Sequence, residues 1–349
     1  MDLADTVIER VRVERLDERV SGPFIPGDSQ FAVIAEARGV SGVFAPVDEL
    51  PAVLVSARLG QGAVGERVTD HEGLLRSLLA DLGPHAAGLG RWAVGALDCA
   101  VWELHGRLAD RPVAALLSER PARQVPVYAS RLSLDLNSVS AAESVAATAA
   151  EGFAFTKWGL RSGDAHELVA CAERASSWAG HSVVMDALGT WDHALAEELA
   201  PLLAPETVRW VEDPLPRTDR AAYERLRTRA EALRIGFGER LTHVEDLVEL
   251  LEHCRPDALT FDVMWCGGIT EARGWLDAAS RAAVPVHLHG RSFVPAVHLA
   301  AAFPDKTEAV EYQMEWEPRR QRALREPLLP ETGRVVLSDR PGFGVEVRH

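Results

Sequence analysis

The chain has 349 residues, 47% hydrophobic and 26% charged, enough to bury a large core as one big domain plus a smaller one. Its formal net charge of -15, with no basic cluster to offset it, excludes a nucleic-acid binder, which needs grouped Lys and Arg against phosphate. No run reaches the roughly 18 apolar residues of a membrane span, the N-terminal MDLADTVIERVRVERL lacks the order of a signal peptide, and Cys99, Cys171, Cys254 and Cys266 form no CxxC pair. A soluble cytoplasmic protein with reduced thiols and no membrane partner is therefore expected.

In chain order, apolar alternation in VIERVRVERL and AVLVSARL predicts strands, and GLLRSLLADLGPHAAGL predicts a helix, within a separate α+β region over residues 1–120. The segment RWAVGALDCAVWELHGRLADRPVAALL repeats Trp92, Ala96, Ala100 and Leu104 at helical spacing, with Pro112 in the connection to a second short helix. Over residues 121–325 the rhythm changes. Eight strand candidates (VPVYAS, GFAFTKW, SVVMDA, TVRWVEDP, RIGFGER, ALTFDV, VPVHLHG and AVEYQM) alternate with helical patterns, the count of a (β/α)8 barrel. The last segment, residues 326–349, contains short strands and turns in GRVVLSDRPGFGVEV that return to the first domain because the barrel is already closed. The expected fold is α/β: a TIM-type barrel with an N-terminal α+β capping domain completed by the C-terminal segment.

Five polar residues end successive apolar runs, 23 to 27 residues apart: Asp186, Glu212, Glu239, Asp262 and His289. In a barrel such positions converge at the C-terminal mouth. Any one carboxylate alone reads as a solvated strand end or a helix cap, but Asp186, Glu212 and Glu239 together offer three hard oxygen ligands, which suit Mg2+ better than Zn2+. Asp262 and His289 end adjacent strands, so the carboxylate can orient the imidazole as a general acid-base group. His287 is a second, deeper histidine on the same strand. Lys157 ends the GFAFTK strand across the mouth and reads as a second base or an electrostatic partner. Glu311 can act as a protonated acid if burial raises its pKa, with Glu315 as its competitor. Arg240 and Arg291 lie just beyond the metal and base positions, where either can meet a substrate carboxylate. Three carboxylates, a divalent cation and Lys157 sum to no net charge, which makes an anionic substrate tolerable.

These residues resemble the enolase superfamily, specifically its mandelate racemase-like branch. The resemblance spans roughly residues 90–349: the helix ALDCAVWELHGRLADRPVAALL, the segments MDALGTW, WVEDPLP and GFGERL, then FDVMWCGGITEA, VPVHLHG and the tail DRPGFGVEV. It implies Asp186, Glu212 and Glu239 as Mg2+ ligands, Asp262 and His289 as a dyad, Glu311 as the acid, and an enediolate stabilised by Mg2+. A Lys or His base working beside Mg2+ on such an enediolate is the family's own mechanism, implied by the resemblance and not by the spacing. Members often carry Lys-x-Lys at the second barrel strand, where this chain reads Phe155-Thr156-Lys157 or, in another register, Lys157-Trp158-Gly159, with one lysine in either. Relatives are commonly oligomeric, so a homo-oligomer acting on a small-molecule carboxylate is expected. Four functions remain: dehydration of a sugar acid to a 2-keto-3-deoxy acid, which leads; racemisation or epimerisation of a hydroxy acid by Lys157 and His289 on opposite faces; another enolate reaction; and a catalytically silent metal-binding relative.

Overall fold

The computed structural model describes residues 3–17, 30–216 and 220–348. Its first sheet is antiparallel, in the order β1 (Arg10–Arg15), β2 (Gln30–Ala37), β3 (Val40–Asp48). Strand β2 is covered on both faces. Val33, Ala35 and Ala37 join the main core, while Ala32 and Ile34 pack in a small cluster with Leu16, Leu324 and Val347.

AVLVSARL, expected as a strand, is helical: Glu49–Leu54 is α-helix, Val55–Leu59 widens into a π turn, and Gly60–Ala63 returns to α. The reason is period. Ala52, Val55, Leu59 and Ala63 are the fully buried positions, and spacings of three and four residues put them on one helix face.

The predicted long helix runs from Leu89 to Ala109 and is buried on nearly every side. A Cβ on Gly95 would lie 2.0 Å from the Met264 carbonyl oxygen, so only glycine lets this helix touch the barrel loop that carries Asp262. One turn later Asp98 caps the Ile269–Arg281 helix, accepting from the Thr270 amide at 3.1 Å and from its hydroxyl, which in turn accepts from Trp102 Nε1 at 2.9 Å. Burial pushes the Asp98 carboxyl up to about 7, against the Thr270 hydrogen bonds that lower it. The folded state thus binds this proton more tightly than the unfolded state. The resulting stability is fully present below about pH 4 and is lost as pH rises through about 7. Relative to Asp98→Asn, which cannot ionise, the wild type should lose roughly 2 to 3 kcal/mol between pH 5 and pH 8 in paired denaturant titrations. Parallel pH curves would show that Asp98 does not titrate in this window.

Eight parallel strands follow, each where the sequence predicts one: β4 (Gln124–Arg131), β5 (Thr156–Gly159), β6 (Val183–Asp186), β7 (Val208–Glu212), β8 (Ile235–Phe237), β9 (Ala258–Leu259), β10 (His287–Leu288) and β11 (Ala309–Gln313). Strand β11 pairs with β4. Between β9 and β10 the ring is closed by a Leu259–Val286 bridge and by the His289 amide, which donates to Phe261 O at 3.0 Å. Helices on the outside join the strands, so the apolar faces of both layers meet and the strands read as near-continuous apolar runs.

Inside the barrel, Tyr128, Phe155, Trp210, Val184, Ala258 and Ala309 fill one layer. His287 belongs to this floor, its ring stacked on Trp210 at 4.6 Å. The C-terminal segment first adds β12 (Arg334–Val336) antiparallel to β4. It then crosses to the long helix, where Gly342 bridges Pro112 and the Phe343 amide donates to the buried Glu103 carboxylate. Val347 finally bridges Leu324. Among the described residues no helix is long and apolar enough to cross a membrane.

Candidate active site

Register brings the first two carboxylates side by side. Asp186 and Glu212 are paired residues at the ends of β6 and β7, and Glu239 follows the end of β8. All three are buried. Lys157, from β5, lies among them: its Nζ is 2.9 Å from Glu212 Oε1, 2.9 Å from Glu311 Oε1 and 3.5 Å from Asp186 Oδ2. Burial disfavours the ammonium, but Glu212 and Glu311 more than offset this and hold Lys157 protonated, well above the ordinary lysine range. A base has to be deprotonated, so of the two roles expected for Lys157 the geometry offers the electrostatic one.

Of the two positions a second lysine could take, Phe155 belongs to the barrel floor, and Gly159, two residues further along β5, has a Cβ position 2.6 Å from the Leu132 carbonyl oxygen. No side chain fits there without moving that backbone.

The expectation of a protonated Glu311 is corrected by the same cation. Burial alone would raise its carboxyl, but Lys157 and His289 beside it hold it well below the usual carboxylate range. Its Oε2 accepts from the Gly290 amide at 2.9 Å. Glu315, the competitor, lies beyond β11 and accepts from the Ser133 amide at 3.1 Å near the surface.

His289 Nδ1 is 3.0 Å from Asp262 Oδ2. Asp262 is itself locked in place, accepting from the amides of Met264, Trp265 and Ser292 at 3.0–3.1 Å and from the Ser292 hydroxyl at 2.6 Å. Nε2 of the imidazole faces Glu239 Oε2 at 3.1 Å, Gln313 Nε2 at 3.1 Å and Glu311 Oε2 at 3.6 Å. Burial opposes a charged ring, yet Glu239, Asp262 and Glu311 together push His289 up to about 10. His287, by contrast, is pushed down to about 3 by burial among the floor aromatics and the nearby Arg209, which keeps it neutral.

Trp265 forms a wall, its ring stacked on His289 at 5.1 Å and on Trp92 of the long helix at 4.7 Å. Arg240 lies over Trp265 at 4.7 Å with its Nε on Glu239 at 3.0 Å, so it borders the site. Arg291 turns elsewhere. Its two terminal nitrogens donate to Asp48 Oδ1 at 2.8 Å and Pro46 O at 3.3 Å, which ties the capping sheet to the barrel instead of presenting a guanidinium to substrate. Burial would raise the Asp48 carboxyl, but Arg291 holds it below its ordinary value. Arg291→Lys keeps the charge and can satisfy only one of these acceptors, so it should cost about 1 to 2 kcal/mol in chemical denaturation. Unchanged stability would show that the charge alone suffices.

Among the described residues no three His, Cys, Asp or Glu side chains already form a metal cage: Glu239 faces His289, and Asp186 and Glu212 face Lys157. The donor set still fits a hard divalent cation: three buried carboxylates come from three neighbouring strand ends. Burial pushes Glu212 up to about 7 even beside Lys157, as expected of a carboxylate short of positive charge. Trp265, Ser292 and Gln313 escaped the sequence reading. Gln313 shares the inward face of β11 with Glu311, and that two-residue alternation was the available signal.

Residues 140–349 match the enolase C-terminal domain-like family. A D-galactarolactone cycloisomerase of Agrobacterium fabrum (strain C58 / ATCC 33970) is 28% identical over 297 residues, covering 78% of this chain and 76% of that protein. A solved racemase from Streptomyces coelicolor A3(2) with bound magnesium has a TM-score of 0.84 at 24% identity, over 98% of this chain and 97% of that one. A mandelate racemase/muconate lactonizing enzyme from a marine actinobacterium, in complex with magnesium, has a TM-score of 0.83 at 21% identity, over 98% and 97%. At these identities the solved structures speak to the fold, while the family match takes in more than half of the chain and every residue of the carboxylate and histidine cluster. The chain belongs to the enolase superfamily, in its mandelate racemase-like branch.

Proposed function

We propose that this enolase-superfamily enzyme is Mg2+-dependent and uses one base, His289, to take the proton α to the carboxylate of a hydroxylated acid. A β-oxygen substituent then leaves, most simply as water, turning a sugar acid into a 2-keto-3-deoxy acid. The carrying observation is at β5: Lys157 is held as an ammonium by Glu212 and Glu311, and Gly159 above it has no room for a side chain. Racemisation needs a proton-transfer group on each face of the α-carbon, and that strand offers none. Elimination needs only one.

Asp186, Glu212 and Glu239 would hold Mg2+, which when bound supplies Lewis-acid stabilisation of the charge developing on the substrate carboxylate, worth several kcal/mol. Glu239 is the strongest contact that keeps His289 charged, and a cation held by that carboxylate would weaken the contact and favour the neutral ring, whose Nε2 can accept a proton. Asp262 retains the Nδ1 proton and fixes the ring. As the Cα–H bond breaks, the proton goes to Nε2, the electron pair forms the Cα=Cβ bond, and the Cβ–O bond breaks. His289 can then return its proton to the departing hydroxide, and the enol left behind ketonises. Lys157 stays charged between Glu212 and Glu311 throughout.

A second reading is favoured by the D-galactarolactone cycloisomerase. In a lactone whose ring oxygen sits on the β-carbon, the same base opens the ring, with a carboxylate leaving in place of hydroxide. The test is a panel of sugar acids and their lactones with Mg2+-loaded protein, read for 2-keto acid and for α-proton exchange in D2O. Keto acid from free acids supports dehydration, and keto acid from lactones alone supports ring opening. Deuterium in a product of inverted configuration would refute the one-base mechanism. A cytoplasmic setting is part of the same proposal, supported by four cysteines that are all free and buried.

A further inference from the structure

Gln313 is the last residue of β11, two positions beyond Glu311, and its side chain is only 8% exposed. Its amide nitrogen is 3.1 Å from His289 Nε2 and 3.2 Å from Glu311 Oε2. Glu311 is ionised beside Lys157 and can only accept, so the NH2 end of the amide donates to it, and the same NH2 finds an acceptor in His289 Nε2 when the ring is neutral, the state in which it serves as the base. That choice orients the whole group. The opposite end, Oε1, is buried and has no hydrogen-bond partner. Buried amide oxygens are rarely left this way, because desolvation without a replacement donor is costly. A substrate donor would supply that partner within the span of one amide group from the nitrogen that handles the α-proton.

We propose that Gln313 is a specificity-determining residue whose Oε1 accepts a hydrogen bond from a hydroxyl on the substrate carbon next to the reacting one. The inference rests on the reading of the substrate as a hydroxylated acid that loses a β-oxygen, and assigns the residue that recognises that β-hydroxyl. Acids lacking that hydroxyl leave Oε1 desolvated and unpaired when they bind, which is how a polar site rejects an otherwise similar ligand.

The experiment compares binding of two acid pairs to Mg2+-loaded protein by calorimetry. One pair is galactarate and 2,5-dihydroxyhexanedioate, which keeps both carboxylates and both α-hydroxyls but lacks the β-hydroxyls. The other is galactonate and 3-deoxygalactonate. In at least one pair the wild type should prefer the β-hydroxylated member by about 10- to 100-fold. Gln313→Met, similar in length and without the amide, should reduce that preference to below about threefold while holding the deoxy member as the wild type does. Gln313→Leu serves as a second variant, with a thermal melt confirming that each is folded.

The proposal is overturned if neither pair shows a preference in the wild type, if the preference survives in the variants, or if both members weaken equally, as a residue that only positions His289 would produce. Preference lost in the variants, with no proton exchange and no keto acid from the wild type, would sustain Gln313 and defeat the proposed reaction instead.

Discussion

Asparagine at position 289 should lower kcat for α-proton exchange by about 10²- to 10⁴-fold, the range expected when a general acid-base group is lost. Mg2+ should bind as tightly as before, or more tightly. Glu239 is engaged by the imidazole at 3.1 Å, and an asparagine amide carries no charge to compete for that carboxylate. The substitution keeps an N–H for Asp262, whose other hydrogen bonds to Met264, Trp265 and Ser292 do not involve the ring. Exchange rates in D2O and calorimetric titration with Mg2+ separate the two effects. Near-wild-type exchange by the variant would remove His289 from the mechanism and reopen the question of the base.

Lys157→Met should produce the largest loss of stability at the site. It removes one buried charge from contact with Glu212, Glu311 and Asp186, and breaking a buried ion pair from one side typically costs about 3 to 5 kcal/mol. The loss should be smaller in Mg2+. A divalent cation compensates two of the same carboxylates, so added Mg2+ should raise the melting temperature of the variant more than that of the wild type. Equal Mg2+-dependent shifts in the two proteins would mean that Lys157 and the cation answer to different charges. Activity should also fall sharply in Lys157→Met, because Glu311 loses its nearest cation and the substrate anion meets a more negative site.

The barrel was readable because a parallel sheet buried on both faces writes its strands as apolar runs, and the first polar residue after each run marks the mouth. Asp186, Glu212, Glu239, Asp262 and His289 were placed at the mouth in this way, and strand adjacency set Asp262 beside His289. The capping region was harder. Strand β2 has both faces covered, so QFAVIAEA lacks the alternation of a half-exposed strand, and the four buried positions from Ala52 to Ala63 were masked by neighbouring apolar residues that suggested a period of two. The state of Glu311 depends on a lysine from a different strand, and the role of Arg291 depends on Asp48, 243 residues away. Nothing local to either residue carries that information. Gln313 was legible in principle, since it repeats the inward parity of Glu311, but an uncharged residue beside a carboxylate draws less notice than the carboxylate itself.

The contact between Glu103 and the Phe343 amide joins positions 240 residues apart. During synthesis at roughly 5 to 20 residues per second, the central helix emerges tens of seconds before that amide exists. Throughout this interval Glu103 has Arg107, four residues along its own helix, as its local partner. Docking of the tail is thus a late step in biogenesis, and a ribosome stalled short of residue 343 would present quality control with a chain whose central helix still carries an acid its final fold conceals.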